Sequence, residues 1–136
     1  MMGSAPSPTP GLTAAIVGHR LNRITDPAAV QTRLEAILRT IELALDDLAG
    51  DPAPPRLRLI SALAEGADQL AVSAATAVGL GWDAVLPFPV DEYERDFGPG
   101  AARDAFHGLL AQAGSVLVLD GQGVGADRDR AYDAAG

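Results

Sequence analysis

The stretch from Leu57 to Asp68 reads Leu-Arg-Leu-Ile-Ser-Ala-Leu-Ala-Glu-Gly-Ala-Asp and changes its hydrophobic period part-way along. Leu57, Leu59 and Ile60 suit a buried strand, whereas Leu70, Ala71, Ala74, Ala75 and Val78 recur at helical spacing. Between them lies a turn of small residues from Ser61 to Gly66. A strand that passes straight into a helix through such a turn aims backbone N–H groups and the positive end of a helix dipole at one point. In an open α/β sheet that point lies in the ligand crevice at the carboxyl ends of the strands.

The same alternation recurs along the chain. Ala14 to Gly18 is a first strand, apolar on both faces as a central parallel strand is. Asp26 is a good N-cap and Pro27 suits the first helical position. Val30, Leu34, Ile37, Leu38, Ile41, Leu45 and Leu48 then form an apolar stripe that ends at Gly50, and Glu35 can pair with Arg39 on the exposed face. Residues 51–55, rich in proline, make a stiff connection to the second strand. Trp82 to Phe88 is a third strand with Pro87 near its end. Asp91 and Glu94 have the spacing of a capping box, so a short helix starts there. Phe106, Leu109, Leu110 and Ala113 mark a further helix, with His107 off its apolar stripe. Ser115 to Leu119 is a fourth strand, and Arg128, Arg130 and Tyr132 begin a last helix. Strand and helix alternating in this way predict an α/β fold: a Rossmann-like open parallel sheet, order about 3-2-1-4, with helices on both faces. In that order Gly18-His19-Arg20 faces Asp120-Gly121 across a switch point between the first and fourth strands.

Composition narrows the function classes. A formal net charge of −8 disfavours nucleic acid as a partner, because a phosphate footprint needs positive charge. The absence of cysteine removes disulfide and thiolate chemistry. His19 and His107 are far apart in sequence, and no metal-ligand spacing appears, so neither metal nor cofactor is expected. No apolar run is long enough to span a membrane, and the N-terminus lacks a secretory pattern, so a cytoplasmic domain is the expectation. Residues 1–13, with Pro6, Pro8 and Pro10, have little to bury and are expected to be a disordered tail before a domain at 14–136.

The candidate binding residues cluster at strand ends. Gly18, His19 and Arg20 follow the first strand directly, and a guanidinium there offers a planar fork to phosphate or carboxylate. Ser61, Ala62, Glu65 and Gly66 belong to the central turn. Glu65 is either a first-turn acid that complements the helix dipole or an acceptor for ribose hydroxyls. Asp68 needs only the dipole explanation. Pro87 ends the third strand, and Tyr93 either packs with Phe97 or stacks on a base. Asp120 and Gly121 open a glycine-rich loop able to approach a ligand closely, and Arg128 lies just beyond it. That loop lacks the lysine of a P-loop and the spacing of a dinucleotide fingerprint.

Gly18-His19-Arg20 after the first strand, Ser61 to Asp68 after the second, and Leu86-Pro87-Phe88-Pro89 with Asp91-Glu92-Tyr93 and Asp96-Phe97 after the third together resemble the SLOG superfamily. That superfamily joins the DprA/Smf-type DNA-processing proteins with the LOG-type proteins. The resemblance is to its bacterial branch of nucleotide sensors and covers most of the chain from Ala14 onward. It implies a Rossmann-like domain that binds a nucleotide or nucleotide derivative, often fused to effector domains. The strand-end residues then make a binding module the leading expectation, with phosphate on Arg20 and the second-helix N-terminus and the base or ribose toward Glu65 and the Pro87–Tyr93 loop. LOG enzymes hydrolyse nucleotide N-glycosidic bonds with a Gly-Gly-x-Gly-Thr segment and a following glutamate, and this sequence has neither. A LOG-like hydrolase is the alternative, with Glu65 as its carboxylate. The family's domain also continues past a further Gly-Gly-Thr turn, so the resemblance implies truncation near Gly136. A scaffold acting through homodimer contacts is a third reading.

Overall fold

The computed structural model describes residue 3 and residues 11–50, 57–121 and 126–135, the side chains of 126–128 excepted. Most of the expected tail, the 51–55 connection, glycine-loop residues 122–125 and the Arg128 side chain lie outside the described residues.

The described elements run β1 Leu12–Ala15, α1 Pro27–Ala49, β2 Leu57–Ser61, α2 Ala67–Ala77, β3 Gly81–Leu86, α3 Val90–Tyr93, α4 Ala101–Gln112, β4 Val116–Val118 and α5 Ala126–Ala135. One-turn 3₁₀ segments occupy Leu21–Arg23 and Glu94–Asp96. β1 begins two residues inside the stretch assigned to the tail and stops at Ala15, short of Gly18.

All four strands are parallel, which bears out the α/β class. The order is β1-β2-β3-β4, not 3-2-1-4. β1 is therefore an edge strand, and no switch point lies between it and β4. Contacts at both ends of β4 fix this order. Gly114 N–H donates to Trp82 O (2.9 Å) and Ala84 N–H to Ser115 O (2.9 Å), which seat the start of β4 on β3. Leu119 N–H donates to Leu86 O (2.8 Å) and closes the other end.

The order has a second consequence. When strands add in one direction, right-handed crossovers put successive helices on one face, and covering both faces needs a reversal. Here α1 packs against α2, and α4 flanks α2 across a groove. Leu57, Leu59 and Ser61 of β2, with Trp82, Ala84 and Leu86 of β3, form the buried face. The other face, with Arg58, Asp83 and Leu117, stays accessible, so among the described residues no helical layer covers these strands there.

α1 forms as expected. Asp26 Oδ1 accepts from Ala29 N–H (3.0 Å), Pro27 stands in the first turn, and Gly50 ends the helix. Leu38 is buried and Leu34, Ile41 and Leu45 pack on the core, whereas Ile37 and Leu48 face solvent. Glu35 accepts from Gln31 Nε2 (3.2 Å), and no Glu35–Arg39 ion pair forms among the described residues.

The Asp91/Glu94 capping box does not form. The carbonyl of Pro89 receives Glu92 N–H (3.0 Å) and Tyr93 N–H (2.9 Å), and no side chain caps α3. Glu94 instead pairs with His107 Nε2 at 2.7 Å, so His107 ties α4 to this turn. Beneath lies an aromatic cluster. Phe97 stacks on Phe106 at 4.4 Å between centroids, and Tyr93 meets both edge-on at 5.3 and 5.4 Å.

On the accessible face Arg58 forms a two-pronged pair with Asp83, at 2.9 Å from Nε and 2.8 Å from Nη2. Ser115 Oγ donates to the same carboxylate at 2.9 Å. The bond from Arg58, helped by Ser115, holds Asp83 below its ordinary value of 3.8. A depressed folded value gives a contribution that is fully present above 3.8 and drains away as the pH falls below it. Asp83→Asn is expected to flatten the acid limb of stability against pH. The pair is partly exposed, so the difference at neutral pH stays within about 1 kcal/mol. Urea melts between neutral pH and pH 3 measure it, and parallel acid limbs would count against it.

Candidate functional site

After β1 the chain stays extended, and Ile16 N–H still donates to Ile60 O (3.2 Å). It then lies across the start of α2. A side chain at Gly18 would collide with Ala67 Cβ, so the loop seats there only because Gly18 has none. Ala67 N–H donates to His19 O (3.0 Å), and Arg20 forms an antiparallel bridge with Gly66. The α2 N-terminus, expected to hold phosphate, thus gives its first amide to the β1 loop.

The turn between β2 and α2 is held on every side. Ser61 Oγ accepts from Leu63 N–H (3.0 Å) and donates to Asp68 O (3.2 Å). Gln69 Nε2 donates to Leu63 O (3.1 Å), and Tyr93 Oη donates to Ala62 O (2.8 Å). Leu63 is fully buried at φ 60°, a left-handed conformation that a leucine adopts at a cost of about 1–2 kcal/mol. Strain of this kind persists where surrounding contacts over-determine it, and such places cluster at functional sites.

Loop and turn enclose a crevice of about 240 Å³ at the carboxyl ends of β1 and β2. Gly18, His19, Arg20, Ala62 and Glu65, expected from the sequence, all line it. Asp68 and Tyr132 line it as well. Arg20 is exposed at the rim, its guanidinium carbon 5.6 Å from the centre of the Tyr132 ring. Asp68 is 9% exposed. Its Oδ2 accepts from Ala64 N–H (3.3 Å). Burial pushes its carboxyl above the ordinary value, against the pull of the Ala64 N–H and of the Arg20 charge. A second groove of about 540 Å³ runs between α2 and α4, bordered by Leu21, Leu70 and Leu109, and shares Glu65 with the crevice.

The other expected residues lie elsewhere. Ser61 is buried and spends its hydroxyl on the turn. Gly66 borders the α2/α4 groove. Pro87 is buried, and its carbonyl accepts from Gly121 N–H (3.1 Å). Tyr93 is fully buried, so its ring does not stack on a base; its effect on the crevice runs through Ala62. Asp120 is exposed and Gly121 packs against Ala131, neither of them on the crevice wall. Tyr132 of α5, not Asp120-Gly121, stands across from Arg20.

Asp68 and Tyr132 line the crevice without a sequence signal that marks them for it. No local pattern marks a first-turn acid as buried, and Tyr132 reaches the crevice only through the packing of α5. Among the described residues no group of acids and histidines is placed to hold a metal ion, and no helix is long and apolar enough to cross a membrane. No protein-family model, no curated protein and no solved structure matches this chain.

Proposed function

We propose that this chain is a SLOG-like binding module for a nucleotide or nucleotide-derived ligand, held at the carboxyl ends of β1 and β2. The observation that carries the reading is the crevice itself. It pairs one exposed guanidinium, Arg20, with carboxyl groups set deeper, on a turn kept in a strained conformation. An anionic group fits the Arg20 side. The acceptors fit a part of the ligand that carries hydroxyl or amino groups. Size supports a divided ligand. Small-molecule pockets run to roughly 300–1,000 Å³, so the 240 Å³ crevice suits a sugar phosphate rather than a whole nucleotide. The adjoining groove, apolar at Leu21, Leu70 and Leu109, suits a base.

The protein is acidic overall, so an anion gains little from the general field and relies on local positive charge. Hydrogen bonds to charged groups contribute roughly 1.5–3 kcal/mol. Arg20→Ala is therefore expected to weaken binding about ten- to a hundredfold. The fold survives, because the side chain is exposed and the bridge to Gly66 is made by backbone. Arg39→Ala, exposed on α1, leaves binding unchanged. Titration calorimetry with AMP, CMP, GMP, UMP and ADP-ribose on the three proteins tests this. Equal affinity for the parent and Arg20→Ala would place the anion elsewhere. Release of free base during the titration, lost in Glu65→Gln, would favour the hydrolase reading.

A further inference from the structure

Asp68 is a carboxylate built into the wall of the crevice at a cost to the fold. One of its oxygens, Oδ2, is occupied by Ala64 N–H. The other, Oδ1, accepts no hydrogen bond from any described residue and is not sealed from solvent. Arg20 is near enough for its charge to act on Asp68, yet the two form no ion pair. A buried carboxylate with one bonded oxygen and one open oxygen presents a charged acceptor in a fixed direction. An anionic group is repelled from that point, whereas a hydroxyl is drawn to it. In a nucleotide the hydroxyls closest to the phosphate belong to the ribose, and carboxylates are the usual acceptors for them.

We infer that Asp68 is a ligand-binding residue whose free Oδ1 accepts a hydrogen bond from a ribose hydroxyl, with the adjoining phosphate on Arg20. The inference rests on the nucleotide reading and makes the module selective for ribose over deoxyribose. Asp68→Asn separates this role from a purely structural one. The amide oxygen still accepts from Ala64 N–H, which turns the NH₂ toward the crevice and replaces an acceptor by a donor. The titratable and aromatic side chains that line the crevice with Asp68 are Arg20 and His19 from the β1 loop, Glu65 from the β2–α2 turn and Tyr132 from α5. Its raised folded value means that any stability it lends is fully present below the unfolded value, near 3.8, and is lost as the pH rises through the folded one. At neutral pH the charged form therefore opposes folding, and Asp68→Asn is expected to melt at or above the parent.

The experiment is titration calorimetry with AMP, CMP, GMP and UMP, each beside its 2′-deoxy and 3′-deoxy analogue, on the parent, Asp68→Asn and Arg39→Ala. Thermal melts at pH 7 accompany it. For a ribonucleotide that binds, the parent is expected to bind one of the deoxy analogues about ten- to a hundredfold more weakly. Asp68→Asn is expected to lose a similar factor for the ribonucleotide and most of the discrimination, while Arg39→Ala keeps both. If a ribonucleotide binds and the deoxy penalty is absent, or is the same in parent and Asp68→Asn, the inference fails and the nucleotide reading stands. If no monophosphate binds the parent, the inference fails, and if ADP-ribose does not bind it either, the nucleotide reading fails with it. A variant that melts well below the parent makes Asp68 a structural cap and overturns the inference.

Discussion

Gly66→Ala is expected to destabilise the domain by about 2–6 kcal/mol and to lift the β1 loop off α2. Gly66 sits at φ 119° and ψ −131°, a region open essentially only to glycine, and holding another residue there costs about 1–3 kcal/mol. Space is the second problem. An added Cβ would run into His19 O, and lies 2.7 Å from Leu21 N and 2.8 Å from Arg20 C. These are backbone atoms, so no rotamer change relieves the clash, and overpacking of this kind costs about 1–3 kcal/mol more. A domain stable by about 5–15 kcal/mol loses much of its margin. Gly79→Ala is the comparison. Its φ of 78° is also positive, but the new methyl meets nothing, so about 1–2 kcal/mol is expected. Urea melts of both variants give the two numbers. If Gly66→Ala loses no more than Gly79→Ala, the contact between loop and helix does not hold the site together. Where the variant still folds, the loss of the His19 O to Ala67 N–H bond is expected to free that amide to exchange with solvent, which hydrogen exchange reads directly.

The central turn was legible because a change of hydrophobic period is a local signal, and strand, turn and helix followed it within one short stretch. The limits of α1 were legible for a similar reason: Asp26, Pro27 and Gly50 are each chosen by the geometry of a helix end. The rank of β1 in the sheet was not. Ala14, Ala15 and Ile16 read as apolar on both faces, but alanines are too small to tell a central strand from an edge one. The order is decided by β4, whose backbone bonds to Trp82, Ala84 and Leu86 take the place on β3 from outside. Those partners lie far apart in sequence, and no local pattern encodes them. The same long-range packing brings Tyr132 to Arg20. For Asp68 the local explanation was sufficient and therefore hid the other one. An acid in the first turn suits the dipole whether it faces water or a crevice, and only burial separates the two cases.

Tyr93 ties the aromatic core to the crevice, and its substitutions are expected to separate the two. The ring is fully buried against Phe97 and Phe106, and the hydroxyl donates to Ala62 O at 2.8 Å. Tyr93→Ala removes the ring and is expected to cost about 3–5 kcal/mol, as aromatic truncations in a core do. Tyr93→Phe keeps the ring and removes only the donor. It leaves a buried carbonyl without that donor, at about 1–3 kcal/mol. Ala62 lines the crevice, so the same change reaches the ligand. The turn is still held by Ser61 and Gln69, so binding in Tyr93→Phe is expected to weaken by less than the ten- to hundredfold loss expected for Arg20→Ala. Denaturant unfolding gives the stability differences, and calorimetry with the ribonucleotide bound by the parent gives the second effect. A Tyr93→Phe protein as stable as the parent would mean that water replaces the hydroxyl at Ala62 and that the core does not brace the turn. A loss as large as that of Tyr93→Ala would mean that the hydroxyl, rather than the packing of the ring, is what this position contributes.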